Sequence, residues 1–227
     1  MKAPVGGRAE ERDLGAVRRL GLYGGSFDPV HAGHLHVART AQAARALEHV
    51  VFVPAARPPH KPGRVLASGE ERLAMLEIAL RGEPPWSISS IELERSGPSY
   101  TVDTVRALPA RLRLDPRARI HLLLGSDNLH GLEHWREVEA LLELAEPVVV
   151  DRGDLEPALL ERLARALSPA TFARLEAGLL VAPPVKVSAS DLRERISRGE
   201  DPGGALPDGV LEYIRSRAIY GADHGTP

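Results

Sequence analysis

The segment Gly24-Gly25-Ser26-Phe27-Asp28-Pro29-Val30-His31-Ala32-Gly33-His34 gathers residue types suited to holding phosphate. Two glycines directly after the short apolar run Leu20–Tyr23 let backbone N–H groups approach a ligand with no Cβ in the way. A helix starting near Gly33 adds unpaired amides and the positive end of its dipole. His31 and His34 stand at the mouth of that helix, where each ring can donate to a phosphate oxygen. Such a constellation suits aligning a polyphosphate for group transfer. A tight turn bearing two half-exposed histidines is the plainer account, and a His-x-Gly-His tetrapeptide alone is modest evidence in a chain with 9 histidines. No Gly-Lys-Ser/Thr follows, so this is not a Walker loop, and the glycine spacing is not that of a dinucleotide fingerprint. Ser26 is no nucleophile elbow either, because Asp28 stands where that turn needs glycine.

Other segments offer smaller hints. Lys61 sits on a proline-rich loop, where it reads equally as a mobile charge for a phosphate or as a solvated lysine. Its neighbour His60 reads as a residue that orients the loop. Ser188 or Ser190 would cap a helix carrying Arg193, giving a second anion cradle or merely a cap beside a surface charge. Asp127 ends an apolar strand, where it could meet a ribose hydroxyl, meet a magnesium-bound water, or cap the next turn. Trp135, at helical spacing with Val138 and Leu142, reads as core unless something else marks it. His130-Gly131-Leu132-Glu133-His134 fits the inverted zincin pattern, which raises a zinc hydrolase as an alternative. Gly131 inside the supposed metal helix and the want of a third ligand motif weigh against it.

The elements that must position these residues alternate. Strands are expected at Leu20–Tyr23, Val50–Val53, Trp86–Leu93, Ile120–Leu124, Pro147–Val150 and Leu179–Ala182. Between and after them, helices are expected at Gly33–Leu47, at Ser68–Leu80 with a Ser68/Glu71 capping box, and from a Ser99 cap to Leu108. Others follow at Glu133–Leu142, Glu156–Leu167, Ala189–Arg198 and from Pro207 onward. This order predicts an α/β, Rossmann-like doubly wound fold, with a mostly parallel sheet, helices on both faces and a helical C-terminal part. Ligands of such folds bind at the carboxyl ends of strands. Residues 1–18 read as a loose extension, 19–222 as a single domain and 223–227 as a tail.

Composition narrows the class. The chain has 227 residues, 43% hydrophobic and 26% charged, as a soluble globular protein does. Its net charge of -2 argues against a nucleic-acid binder. Absence of cysteine removes disulfides, thiolate metal sites and thiol nucleophiles, and suits a cytoplasmic location. No apolar run approaches a membrane span, and no secretory signal opens the sequence.

Taken together, the segments resemble the nicotinate-nucleotide adenylyltransferases, within the wider His-x-Gly-His nucleotidyltransferase superfamily. Gly24 to Leu35 looks like that family's opening motif. Pro58-Pro59-His60-Lys61, Ser99-Tyr100-Thr101-Val102-Asp103-Thr104, Gly125-Ser126-Asp127-Asn128-Leu129 with Trp135, and Val187-Ser188-Ala189-Ser190-Asp191-Leu192-Arg193 follow in the expected order. Ala189 and Ser190 depart from the family's Ser-Thr. The resemblance implies adenylyl transfer from ATP to nicotinate mononucleotide, giving deamido-NAD and pyrophosphate in NAD biosynthesis. It assigns ATP to Gly24, Gly25, Ser26, Phe27, His31, His34, Ser188, Ser190 and Arg193. It assigns the mononucleotide to Lys61, Ser99, Tyr100, Thr101, Asp127 and Trp135, with Trp135 stacking on the pyridine ring. His31, His34, Lys61 and Arg193 are the implied catalytic groups, and Mg2+ is expected to arrive with ATP. No nucleic-acid or membrane partner is implied, and the chain is expected to be a monomer or a homo-oligomer. A phosphopantetheine adenylyltransferase-like enzyme is the near alternative, although that family usually carries threonine at the place of His31. A non-catalytic nucleotide-binding module is the further one.

Overall fold

The computed structural model describes residues 12–56, 67–83, 85–151, 153 and 155–221. Six strands form one sheet: β1 (Arg19–Gly25), β2 (His49–Pro54), β3 (Trp86–Ile88), β4 (Arg119–Gly125), β5 (Glu146–Asp151) and β6 (Leu179–Val181). Their order across the sheet is β3-β2-β1-β4-β5-β6, and every pair is parallel. Parallel strands need both faces covered, and the period-two alternation of apolar side chains shows how this is done. Tyr23, Val50, Phe52 and Leu123 face one layer, built on α1 (Ala32–Arg45), α2 (Gly69–Ala79), α7 (Ala189–Ser197) and α8 (Val210–Ser216). Leu20, Leu22, Val51, Val53, Leu122 and Leu124 face the other, built on α3 (Thr101–Arg111), α4 (Val138–Leu144), α5 (Pro157–Ala166) and α6 (Pro169–Ala177). The chain is a Rossmann-like α/β protein.

The strand order reverses between β1 and β4, and a crevice opens there beyond their carboxyl ends, at Gly25 and Gly125. Three helix starts converge on it. His31 is the N-cap of α1, Tyr100 that of α3 and Ser188 that of α7, whose Oγ accepts from the Asp191 N–H at 3.4 Å.

Several expected boundaries are corrected. Leu14 is buried among the α3 and α4 side chains, so the fold reaches into the supposed loose extension. Strand β3 stops at Ile88, because Ile91 to Glu94 form a turn. The helix expected at Glu133–Leu142 is a 3₁₀ turn at Leu132–His134 followed by α4, with Glu137 in a left-handed conformation between them. The last helix begins after Gly209 rather than at Pro207, since Gly209 adopts φ 78 and serves as its N-cap. Helix α6, capped by Ser168 and opened by Pro169, was not expected at all.

Candidate active site

The turn after β1 is built around Phe27, which sits at φ 47 with its ring wholly buried against Tyr23, His34 and Phe52. A Cβ on Gly25 would meet that ring at 3.0 Å, whereas a Cβ on Gly24 would meet nothing within 4 Å. Gly25 therefore serves the packing of the turn, and Gly24 leaves open space over the strand end. Phe27, expected at the ATP site, borders the first cleft, and its ring is buried in the core.

After the turn at Asp28–Pro29 the chain enters α1. His31 is buried and His34 half-buried, their rings stacked with centroids 3.7 Å apart. The His31 N–H donates to His34 Nδ1 at 3.2 Å. That bond makes Nδ1 the acceptor of a neutral His34, so the proton lies on Nε2, which is the donor nitrogen of the ring. Both rings line a cleft of about 560 Å3 together with Gly24, Asp127, Ser188, Ser190 and Arg193.

Arg193 is held, not loose. Its Nη1 donates to the Asp28 carbonyl oxygen and lies 3.5 Å from Asp28 Oδ2, while Nη2 donates to Ser190 Oγ at 3.1 Å. Ser190 thus does for Arg193 what its hydroxyl allows. Asp28, only 2% exposed, also accepts from the Ala67 N–H at 3.0 Å and from the Tyr220 hydroxyl at 2.7 Å. Burial, together with the neighbouring Asp28 charge, pushes the Tyr220 phenol well up, so it stays a donor. Beneath them the buried Arg72 donates to the carbonyls of Ala67, Ser26 and Ala55, stitching the β1 turn to the end of β2. Burial pulls its guanidinium down and the Asp28 charge opposes that shift.

A second cleft of about 300 Å3 adjoins the first. Gly24, Gly25, Ser26, Asp127 and Asn128 line both, so the two lobes share one floor at the switch point. The second lobe is walled by Ser99, Tyr100, Thr101, His130, Trp135 and Arg136. The Arg136 guanidinium lies 4.7 Å from the centroid of the Tyr100 ring. Ser99 does not cap α3 as expected: it is buried and its Oγ accepts from the Ala56 N–H at 2.9 Å. Glu92 lies beneath, accepting from Thr104 at 2.6 Å, and burial pushes its carboxyl up against the pull of Thr104, Ser99 and Arg95. Trp135 packs partly on the core and partly borders the lobe.

The protein sequence model described as cytidylyltransferase-like matches residues 22–195. The "Probable nicotinate-nucleotide adenylyltransferase" of Thermomicrobium roseum is 40% identical over 202 residues, covering 89% of this chain and 91% of its own. Its namesake from Bordetella petrii is 40% identical over 204 residues, covering 90% and 100%. This chain belongs to the nicotinate-nucleotide adenylyltransferase family. Among solved structures, the Plasmodium falciparum nicotinic acid mononucleotide adenylyltransferase complexed with NaAD matches with a TM-score of 0.67, covering 91% of this chain and 98% of that one. At 16% identity that likeness is one of fold.

Within this family member, the structure brings Gly24, Gly25, Ser26, Phe27, His31, His34, Ser188, Ser190 and Arg193 to one lobe, and Ser99, Tyr100, Thr101 and Trp135 to the other, with Asp127 between. Lys61 and His60 lie outside the described residues. The zinc alternative loses its scaffold: Gly131 has φ 83 and only one 3₁₀ turn follows, so His130 and His134 do not share a helical face. Glu133 instead pairs with Arg162 at 3.0 Å. Reasoning from sequence missed Asp28, Arg72 and Tyr220, whose partners are remote in the chain. It also passed over Glu92, Arg136 and Lys186, whose place in the clefts depends on loop geometry. No helix among the described residues is long and apolar enough to cross a membrane.

Proposed function

We propose that this chain transfers the adenylyl group of ATP to nicotinate mononucleotide, forming deamido-NAD and releasing pyrophosphate. The observation that carries the reading is the shared floor: a family member with two contiguous lobes that meet over Gly24 can hold two nucleotides with their phosphates facing each other. The lobe with paired imidazoles, the α1 and α7 starts and Arg193 takes the triphosphate. The lobe bounded by Trp135 and the α3 start takes the mononucleotide. Its 5′-phosphate oxygen attacks the α-phosphorus, and the bond from that phosphorus to the bridging oxygen of pyrophosphate breaks. No covalent enzyme intermediate is needed, so the protein's work is alignment of two anions and stabilisation of charge as it develops.

His34 Nε2–H and the His31 ring donate to the transferring and leaving oxygens; Arg193, fixed by Asp28 and Ser190, supplies oriented charge. The amides at the start of α3 favour a carboxylate over a carboxamide, whose own NH2 would face them donor to donor. Mg2+ bound with ATP would neutralise phosphate charge. Among the described residues no group of three or more His, Cys, Asp or Glu is placed to hold a metal ion. Phosphate and water oxygens would form most of its shell, and Asp127, which borders both lobes, would accept from a metal-bound water.

The test is pyrophosphate release from MgATP with nicotinate mononucleotide, nicotinamide mononucleotide or phosphopantetheine supplied separately. The reading expects rapid release with the first and little with the others. Release with phosphopantetheine alone, or ATP binding without any release, would overturn it.

A further inference from the structure

Lys186 lines the ATP-side lobe, on the loop that joins β6 to α7. Of the three lysines in the sequence it alone falls among the described residues. Its backbone is well anchored. Pro183 and Pro184 restrict the chain before it, and a Cβ on Gly153 would come within 3.1 Å of the Pro184 ring, so that proline is packed closely. Val187, next to it, packs on the core layer beside α7. Lys186 itself is exposed and borders the cleft between half-buried neighbours.

The charge around it is mostly committed. Three carboxylates border this lobe, Asp28, Asp127 and Asp191, together with the cations Arg193 and Lys186 and the rings of His31 and His34. Arg193 lies 3.5 Å from the buried Asp28 carboxylate and is locked to Ser190, so much of its field is offset before any ligand arrives. Among the described residues Lys186 makes no hydrogen bond or ion pair. Among the described residues, a triphosphate entering this lobe meets amides, imidazoles, a guanidinium already paired with Asp28 and one uncommitted ammonium, that of Lys186.

We propose that Lys186 is a further ATP-binding residue, a mobile cation that closes on the β- and γ-phosphates and on the departing pyrophosphate. The proposal rests on the adenylyl-transfer reading and deepens it. A lysine suits this place because its ammonium is a compact charge on a flexible stem, able to follow the phosphates as their charge redistributes. An arginine pinned like Arg193 cannot follow them.

The experiment compares wild type, Lys186→Ala and Lys186→Arg in steady state, varying MgATP and nicotinate mononucleotide in turn. Lys186→Ala is expected to raise KM for MgATP about tenfold, the scale of losing one charge-assisted contact, with KM for the mononucleotide changed less than about twofold. Pyrophosphate should inhibit the variant correspondingly less, added salt should weaken its ATP binding less steeply, and Lys186→Arg should recover most of the loss. The thermal midpoint should not move, since the side chain is exposed. An unchanged KM for MgATP, or a rise confined to the mononucleotide, overturns the proposal. Should wild type form no deamido-NAD, the functional reading fails separately, and equilibrium binding of MgATP to the same three proteins still decides the role of Lys186.

Discussion

Tyr220 donates its hydroxyl hydrogen to Oδ1 of Asp28 at 2.7 Å, tying the last described turn of the chain to the glycine-rich turn after β1. The same carboxylate faces Arg193 and the Ala67 amide, so one buried group holds four segments together. Tyr220→Phe should cost about 1–2 kcal/mol in urea denaturation, the scale of leaving a buried acceptor short of a donor. Because Arg193 shares that carboxylate, KM for MgATP should also rise. An unchanged unfolding midpoint would show that the bond carries no net stability.

The two glycines after β1 should respond oppositely to alanine. In Gly24→Ala the new methyl meets nothing within 4 Å in the free protein, so the melting temperature should hold while nucleotide affinity falls at least about tenfold. In Gly25→Ala it meets the Phe27 ring at 3.0 Å, and stability should drop by about 1–3 kcal/mol. Thermal melts paired with ATP titrations separate the two; equal behaviour would refute the division of labour.

His34→Ala removes the Nε2 donor and the stacking partner of His31. The rate of pyrophosphate release at saturating substrates should fall by about 10²–10³, as for loss of one donor to developing charge. Near-normal turnover would remove His34 from the chemistry.

Trp135 and Trp86 are the two tryptophans, and Trp86 is buried at 1% exposure while Trp135 borders the second lobe. Nicotinate mononucleotide should therefore quench intrinsic fluorescence through Trp135 alone, and Trp135→Phe should abolish the signal. In Trp135→Ala the KM for the mononucleotide should rise by about tenfold or more, from about 1–3 kcal/mol of lost stacking. Quenching that survives in Trp135→Phe would place the pyridine ring elsewhere.

Stability should fall on mild acidification. Burial, helped by the charge of Arg12, lowers the His49 pKa from 6.5 to about 4, and its Nε2 is hydrogen-bonded to Ser87 at 2.7 Å. The unfolded chain therefore takes the proton first, so this contribution is complete above about pH 6.5 and lost as the pH drops toward 4. Its size is on the order of 3 kcal/mol at most. Burial likewise lowers the pKa of His121, in the same sense. Denaturation curves between pH 4 and 7 should show the slope, and His49→Gln should flatten it.

Local signals were readable in the chain wherever one segment determined its own structure. Ser68 and Glu71 form the expected capping box, with the Ser68 N–H donating to Glu71 Oε2 and the Glu71 N–H donating to Ser68 Oγ. The β1 turn, the stacked histidines and the α7 cap lie where residue types placed them. What escaped depends on partners far away or on backbone conformations that side-chain patterns conceal. Glu137, with φ 50, breaks a helix whose apolar spacing looked continuous. Ser99 faces Ala56 and Glu92 and does not cap α3, because the Ala56 N–H, just past β2, takes its hydroxyl as acceptor. Tyr220 finds Asp28 across almost the whole chain, and no periodicity carries that pairing. Ser168-Pro169, by contrast, was a helix start in plain view.

A floor held in common has a consequence for traffic. On the proposed reading, deamido-NAD would occupy both compartments at once and would have to disengage at two ends to depart, whereas pyrophosphate would need only to clear the imidazole side. Exit should then be ordered, the small anion first. A compound bridging both halves would gain from tethering, because anchoring one end raises the effective concentration of the other.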